Sequence, residues 1–211
     1  MKKLITLFVA LSLPAFAGSG KQVVAEPEPS LAQWFAGGAI GYLLEFDEPM
    51  YHLHFGQDTG HQLGGWDFSW FLEIGRTEKN ANGDNSNSVP PSNLDLDGFE
   101  DFYANFDLTV MPITINSKFE KALSDSLTAY LGVGAGLANI DVSTPGASVP
   151  LSGDDWVNFA QLFAGVIYDL NSAWELYGGA RWMYIDEADI NGVTLELDDD
   201  VLIELGLRRN F

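Results

Sequence analysis

The last twelve residues of the chain alternate between two faces, and this alternation restricts the fold more than any other feature. A period of two residues is that of a β-strand. One face is mainly apolar and carries Phe211, Arg209, Leu207, Leu205, Ile203 and Val201. The other face is mainly polar and carries Asn210, Arg208, Gly206, Glu204, Leu202 and Asp200. The chain therefore ends in a two-faced strand whose last residue is aromatic and lies on the apolar face.

This segment resembles the C-terminal strand of bacterial outer-membrane β-barrels, which typically ends in phenylalanine and is recognised by the insertion machinery. The resemblance implies that the assembly signal consists of Phe211, Leu207, Leu205 and Ile203. Arg209 departs from the apolar or aromatic residue that is usual at its position. The implied partners are periplasmic chaperones, the barrel-assembly machinery and outer-membrane lipid. Deleting Phe211 is expected to leave the protein exported but poorly inserted, as heat-modifiable mobility in outer-membrane fractions would reveal.

The beginning of the chain has the pattern of a secretory signal peptide. Lys2 and Lys3 precede an apolar stretch, and Ala15-Phe16-Ala17 provides a small-residue cleavage site. We therefore assign residues 1–17 to a signal peptide and residues 18–33 to a flexible periplasmic lead-in, which leaves 34–211 for the folded domain. No apolar stretch approaches the roughly 20 residues of a membrane-spanning helix. The chain contains no cysteine, so disulfides cannot support the fold.

The composition limits the class of protein and its partners. Acidic residues number 30 against 10 Lys and Arg, for a formal net charge of −20. Nucleic acid is an unsuitable partner, because binding it requires clustered cations. The 22 glycines and 13% aromatic residues, without a long apolar run, are typical of a barrel with apolar residues at every second position and acids in its loops.

Eight segments show this alternation, and they predict an all-β domain, an eight-stranded antiparallel up-and-down transmembrane β-barrel. Pro112 is expected to cause a bulge or a thin end in the fourth strand. The alternation there puts Tyr103 on the interior face, and Phe106, Leu108 and Val110 on the other. The predicted strands are 34–46, 51–56, 66–75, 102–111 with a continuation to 122, 127–138, 160–168, 174–185 and 201–211.

The predicted strands also define an orientation. With the first strand rising from the periplasm, the long polar loops Thr77–Phe99 and Asp141–Trp156 both lie outside, as in other barrels of the outer membrane. Two aromatic girdles are expected, with Trp34, Trp66, Tyr168 and Trp174 at the periplasmic edge and Trp182 and Tyr184 at the other. These features resemble the small OmpA/OmpX-type barrels of the cell outer membrane, over residues 33–211.

The interior of an eight-stranded barrel is only wide enough to be filled by side chains. The predicted interior face contains Phe35, Phe71, Tyr103, Tyr130, Phe163 and Tyr177 together with charges. The sequence therefore predicts a plugged barrel with a structural or surface-binding role, whose loops could bind a host or phage partner. The alternatives are a narrow porin-like channel and, as in some small barrels, a lipid-modifying enzyme.

Candidate catalytic and metal-binding groups are few. His52 and His54 fall on the polar face of the second strand, but neither is followed two residues later by the serine that lipid-modifying barrels use. Adding His61 gives no metal-site spacing. The acidic runs 95–101, 186–189 and 198–200 form no EF-hand pattern, although the last two could meet and attract a divalent cation. We therefore predict no catalytic residues, no cofactor and no metal ligands.

Asn191-Gly192 is the strongest hairpin signal in the chain and sets a register for the last two strands. If Ile190 faces Val193, then Leu176 faces Leu207 and Trp182 faces Val201, all on the lipid face. The same register predicts interior charge pairs, with Glu175 opposite Arg208 and Glu204 diagonal to Arg181. If a pair is buried, each residue is expected to need its partner for the barrel to be stable. If the pair lies in water, it is expected to contribute little to stability.

Overall fold

A computed structural model describes residues 32–81, 93–95, 105–145 and 151–211. The predicted signal peptide and almost all of the lead-in lie outside these residues. Within the described ranges, no helix has the length and apolar character needed to cross a membrane. The strands are β1 (Gln33–Leu43), β2 (Pro49–Leu63), β3 (Trp66–Ala81), β4 (Asn93–Asp95), β5 (Phe106–Ala122), β6 (Leu127–Ser143), β7 (Ser152–Asp169), β8 (Trp174–Ile185), β9 (Ala188–Ile190), β10 (Val193–Glu196) and β11 (Asp200–Asn210).

Eight of these strands form a closed barrel in the order β1-β11-β8-β7-β6-β5-β3-β2. Each neighbouring pair is antiparallel, and β1 closes the ring by pairing with β11. Closure leaves no unpaired sheet edge. A sheet in lipid requires such closure, because no water is present there to form hydrogen bonds with free backbone groups. The predicted eight-stranded antiparallel barrel is confirmed.

Short turns lie at one end of the barrel and long connections at the other. The short turns are 64–65, 123–126 and 170–173, at the positions predicted for the periplasmic side. Gly64 and Gly65 form the tightest of them, with φ values of 62° and 81° that only glycine adopts freely. At the other end the strands continue into both predicted outer loops, since β3 reaches Ala81, β6 reaches Ser143 and β7 begins at Ser152. We call the first end periplasmic and the second extracellular, following the usual arrangement of loops in such barrels.

The register of β8 and β11 agrees with the prediction, with Trp182 opposite Val201 and Leu176 opposite Leu207. The Asn191-Gly192 turn also forms, with φ values of 53° and 85°, and places Ile190 opposite Val193. This turn does not join the barrel strands directly. It is the tip of a separate β9–β10 hairpin, which pairs with β4 in a three-stranded sheet.

The barrel wall changes character along its height. We define the membrane segment as the part of the wall on the periplasmic side of Pro112 in β5 and at the same level in its neighbours. Apolar side chains point outward there. Exposed examples are Ile40, Leu53, Leu72, Ile115, Leu131, Leu162 and Leu205. In the extracellular segment, above that level, the apolar side chains point inward instead. Polar side chains cover its outer face, among them Glu78, Asp107, Asp141, Asp154 and Asn158.

Strand β5 passes through both segments, and here the predicted facing was wrong. Phe106, Leu108 and Val110 were placed on the lipid face but are buried inside, at 3% exposure or less. The lipid face of β5 begins beyond Pro112, with Ile113 and Ile115. The strand continues past Pro112, and only the ladder to β3 is interrupted there. Strand β1 needs a correction too: it ends at Leu43, and Phe46, the last residue of the predicted strand 34–46, folds inward to 7% exposure.

Candidate functional site

The extracellular segment contains an apolar core that is covered by the β9–β10 hairpin. One face of the hairpin is buried, since Ala188, Ile190 and Leu195 are at most 1% exposed. Its side chains pack with residues of the upper barrel wall, including Leu108, Ile140, Val142, Val157 and Phe159. Apolar burial of this extent holds the hairpin over the mouth of the barrel.

Polar contacts fix the hairpin to β7 at its exposed rim. The side-chain amide of Asn191 donates to the carbonyl oxygen of Ser152 at 2.6 Å. The backbone N–H of Asp189 donates to Oδ2 of Asp155 at 3.0 Å, and the Gly192 N–H donates to Oδ1 of Asp189 at 2.9 Å. Because both the apolar face and the polar rim are engaged, the hairpin is an integral part of the barrel mouth.

The sequence suggested that Asp200 lies in an exposed acidic loop, but the structure places it inside. It is 7% exposed and its carboxylate accepts hydrogen bonds from the backbone N–H groups of Leu44, Glu45 and Phe46, at 3.0, 3.0 and 2.9 Å. The carboxylate thus satisfies three amides of the β1–β2 turn at once. This contact explains why Phe46 turns inward: the chain leaves the wall after Leu43 to wrap around Asp200.

Members of the two acidic runs near the hairpin make separate contacts. Asp186 accepts a hydrogen bond from the Asn158 amide at 3.0 Å, Asp189 accepts one within its own turn, and Asp200 points inward. Across the described ranges, no group of three or more His, Asp or Glu side chains could hold a metal ion. Most of the run 95–101 lies outside those ranges, so its predicted loop remains a prediction.

Arg181 is the centre of a buried ion network in the membrane segment. Its Nη1 donates to Glu73 Oε1 at 2.5 Å, and its Nη2 donates to Glu204 Oε2 at 3.1 Å. Gln161 links the network to β5, because its oxygen accepts from Arg181 at 2.7 Å and its amide donates to Asn116 at 2.5 Å. All five side chains are at most 6% exposed. One guanidinium on β8 therefore joins a carboxylate on the neighbouring strand β11 to one on β3, across the barrel interior.

A second network surrounds Arg208 nearer the periplasmic end. Its Nε donates to Glu175 Oε2 at 2.5 Å and its Nη1 donates to Glu120 Oε1 at 3.1 Å, and Lys118 lies 2.5 Å from the same Glu120 oxygen. Arg208 and Glu175 are 4% and 8% exposed, so the pair is shielded from bulk water. The guanidinium also stacks 4.6 Å from the ring centroid of Phe35, an attractive cation–π arrangement.

An aromatic layer separates the two networks. Its rings are those of Phe35, Phe71, Tyr130, Phe163 and Tyr177, with centroids about 6 Å apart. Tyr103, which the alternation also placed in the interior, lies outside the described residues. A cavity of about 30 Å³ lies among the rings and the charged groups, enough for one or two water molecules. Charged networks and an aromatic layer thus alternate along the interior of the membrane segment.

The structure brings the four sequence-predicted interior charges together in the expected pairs, but sequence reasoning missed their partners. Glu73, Gln161, Lys118 and Glu120 lie on other strands, far away in the chain. Each is a polar residue on the interior parity of its strand, and this signal could have identified it. Which of them meet across the lumen depends on the register around the whole ring, which one hairpin cannot fix.

Both histidines of β2 lie in the barrel interior. His52 is 3% exposed, and its ring nitrogens lie 4.0 Å from carboxylate oxygens of Glu73 and Glu204. His54 lies 3.5 Å from the Tyr177 hydroxyl. Within the described residues, no serine hydrogen-bonds to either ring, whereas His61 is exposed at the far end of the strand. Both rings belong to the packed interior.

The terminal strand has the apolar face that the sequence predicted. Ile203, Leu205, Leu207 and Phe211 are between 40% and 61% exposed on the outer wall. The Phe211 ring lies 6.4 Å from Phe55, whose ring stacks on Trp34 at 5.1 Å. Arg209 lies over Trp174 at 5.7 Å and Lys121 over Trp66 at the same distance, at the periplasmic edge. Cations paired with aromatic rings suit a lipid–water boundary.

Comparisons with known proteins bear on the fold. No protein-family model matches the chain, and no curated protein matches its sequence. A major outer membrane protein from Thermus thermophilus matches with a TM-score of 0.53 at 14% identity, over 85% of this chain and 99% of that chain. Neisserial surface protein A (TM-score 0.49, 16% identity, 85% and 96% covered) and the N-terminal β-barrel domain of Pseudomonas aeruginosa OprF (0.47, 13%, 85% and 97%) are also similar.

At these identities the likeness concerns the fold alone, and a fold does not determine a function. The likeness in fold agrees with the wall of the barrel, where apolar side chains face outward between two rims that carry aromatic rings. A soluble barrel would reverse this arrangement over its whole height, because its outer face would meet water. An eight-stranded antiparallel barrel with such a wall is a small outer-membrane β-barrel, and the cell outer membrane is its location.

Proposed function

We propose that the protein is a non-conducting outer-membrane barrel, which has a structural role and presents a rigid extracellular surface for binding. The observation that carries this proposal is the apolar core of the extracellular segment. Leu108 and Ile140 from the wall are 0% exposed, and Ile190 and Leu195 from the hairpin are 1% exposed. An apolar cross-section opposes the passage of ions, since an ion entering it loses hydration without gaining a partner.

The membrane segment supports the same conclusion below that core. Its charged groups are engaged with one another across the lumen rather than arranged along a water-filled path, as the contacts of Arg181 and Arg208 illustrate. An eight-stranded barrel has no spare width beside such a network. Ions would have to cross both barriers, so the interior is expected to be closed.

Conductance across planar lipid bilayers tests this closure. The folded wild-type protein is expected to give no stable conductance steps. A double variant, Ile190→Asp with Leu195→Asp, places charges in the apolar core and is expected to admit water and raise the frequency of openings. Glu187→Gln, exposed beside the hairpin, is the matched control and should stay silent. Stable steps from the wild-type protein would establish the narrow-channel alternative.

The surface-binding part of the proposal concerns the extracellular rim. Its exposed side chains are mainly acidic, including Asp107, Asp141, Asp154, Glu187 and Asp189. A partner that binds there is expected to be cationic, and the attraction should weaken as salt screens it. Cells with and without the protein can be compared for binding to host matrix at two salt concentrations. Equal binding by both cell types at either concentration would contradict this role.

We also propose that the protein is not an enzyme, and the packed interior positions of His52 and His54 support this. General-base catalysis requires a histidine within hydrogen-bond reach of a nucleophile and open to substrate. Incubation of the folded protein with lipid A or phospholipid is expected to release no fatty acid. Release that disappears in a His54→Gln variant would establish the enzymatic alternative.

A further inference from the structure

The lipid-facing wall contains a groove of about 760 Å³ across strands β8, β11, β1, β2 and β3. One row of paired residues forms its lower side: Leu176, Leu207, Gly38, Leu53 and Ile74. Gly38 has no side chain and leaves a gap between its paired neighbours Leu207 and Leu53, whose side chains stand on both sides of it. A Cβ at Gly38 would lie only 2.9 Å from the His52 carbonyl oxygen, so a side chain cannot fill the gap without a shift of the backbone.

Arg76 lies at the upper end of this groove. Tyr51 and Arg76 are paired in the next row of residues, and both contribute to the groove. Arg76 is ten residues above Trp66 on β3. At about 3.3 Å per residue and a tilt of about 40°, this places it roughly 25 Å above the periplasmic edge, close to the height of the apolar band in such barrels. Arg76 is therefore at the extracellular lipid boundary.

Arg76 is the one cation of the described residues on that part of the outer wall. Lys118, Arg181 and Arg208 point into the barrel, while Lys121 and Arg209 lie at the periplasmic rim. Lys79 turns inward to donate to the Phe46 carbonyl oxygen at 3.0 Å. The Arg76 side chain is 61% exposed and forms an ion pair with Glu78, which is also exposed. Such a surface pair is weak enough to admit a second anion.

We propose that the groove binds one phosphate-bearing lipid of the extracellular leaflet, with a lipid phosphate on Arg76 and an acyl chain along the gap at Gly38. Its volume lies within the roughly 300–1,000 Å³ of ligand clefts in proteins. The planar guanidinium matches the geometry of a phosphate. A second copy of the chain is the less suitable occupant, because two barrels side by side would bring their acidic extracellular rims together. The groove is on the outer wall, so the proposal does not depend on whether the interior conducts.

Native mass spectrometry of the folded full-length chain in detergent, with equimolar diphosphoryl lipid A, tests the proposal. One lipid is expected to remain bound. Arg76→Gln removes the charge-assisted contact without disturbing packing and should weaken retention about tenfold. Ile74→Trp should block the gap and also reduce retention. Arg209→Gln, at the other rim, and Ile115→Trp, on the lipid face outside the groove, are matched controls that should behave like the wild-type protein.

Heat-modifiable mobility shows first that each variant is folded. Equal retention of lipid A by Arg76→Gln, Ile74→Trp and both controls would overturn the site, because lipid would then bind without regard to the groove. A species of twice the mass of the chain, lost in Ile74→Trp and kept in Ile115→Trp, would overturn it in favour of a second copy. Retention lowered only in the two groove variants supports the proposal.

Discussion

The membrane segment and the extracellular segment are one continuous barrel wall with opposite arrangements of polar and apolar side chains. On β5, Ile113 and Ile115 face outward below, whereas Leu108 and Val110 face inward above. The backbone alternates without interruption, so the reversal comes from the sequence and not from a bulge. The comparison shows that the surrounding medium decides which face of a strand is apolar: lipid for the lower part and water for the upper part.

The two segments also hold their interiors together by different interactions. The lower interior depends on ion networks, in which removing one partner leaves a buried charge uncompensated. The upper interior depends on apolar packing with the hairpin, as in a soluble β-protein. Single substitutions should therefore have their largest effects in the lower interior.

Replacing Arg181 with alanine should be the most damaging change. It leaves the buried carboxylates of Glu73 and Glu204 without their shared cation, at a cost of about 3–5 kcal/mol. Unfolding in urea from lipid vesicles measures the loss. Adding Glu204→Gln should recover part of it, because one uncompensated charge is removed. Arg209→Ala, at the exposed rim, is the control and should cost about 0–1 kcal/mol; an equal loss from both arginines would show that the interior network contributes nothing.

Arg208→Ala should cost about 3 kcal/mol, the lower end of the range for a buried pair, because Lys118 remains to pair with Glu120. Glu175 is the partner that loses its cation, so adding Glu175→Gln should restore part of the stability. A double-mutant cycle on urea unfolding measures the coupling. Additive effects of the two substitutions would mean that the pair lies in water at the periplasmic mouth.

The reversal along β5 can be tested on its outer face alone. Ile115→Lys puts a charge into the lipid and should cost about 2–4 kcal/mol, whereas Thr109→Lys, six residues away on the same face but above the membrane, should stay within about 0.5 kcal/mol. Both residues point outward in the structure. Urea unfolding of the two variants decides the matter. Similar losses at both sites would place the lipid boundary above Thr109 and remove the distinction between the segments.

Asp200→Asn should cost about 1.5 kcal/mol, the smallest of these effects. The amide keeps the size of the side chain but loses the charge that strengthens its bonds to the N–H groups of Leu44, Glu45 and Phe46. Asp199→Asn, whose side chain is exposed, is the neighbouring control. Equal stability of the two variants in urea would indicate that water holds the β1–β2 turn as well as Asp200 does.

Much of the barrel could be predicted because its determinants are local. Alternation identified the eight wall strands, and the apolar face that ends in Phe211 is exposed as expected. The Asn191-Gly192 turn sets its own backbone conformation, and counting from it gave the correct register between Trp182 and Val201. The pairs Glu175–Arg208 and Arg181–Glu204 could be predicted because they involve only the adjacent strands β8 and β11.

Only the tertiary structure decided where the membrane ends and which distant groups meet. The facing of Phe106, Leu108 and Val110 could not be inferred from β5, because an apolar face is equally suited to lipid outside and to a packed core inside. The inward turn of Asp200 depends on amides about 155 residues away in the chain. Likewise, Glu73 reaches Arg181 across the lumen only because all eight strands close with a particular stagger. The sequence by itself thus determined the strands and their local pairing, whereas the medium on each side of the wall and the contacts across it arise from the closed barrel.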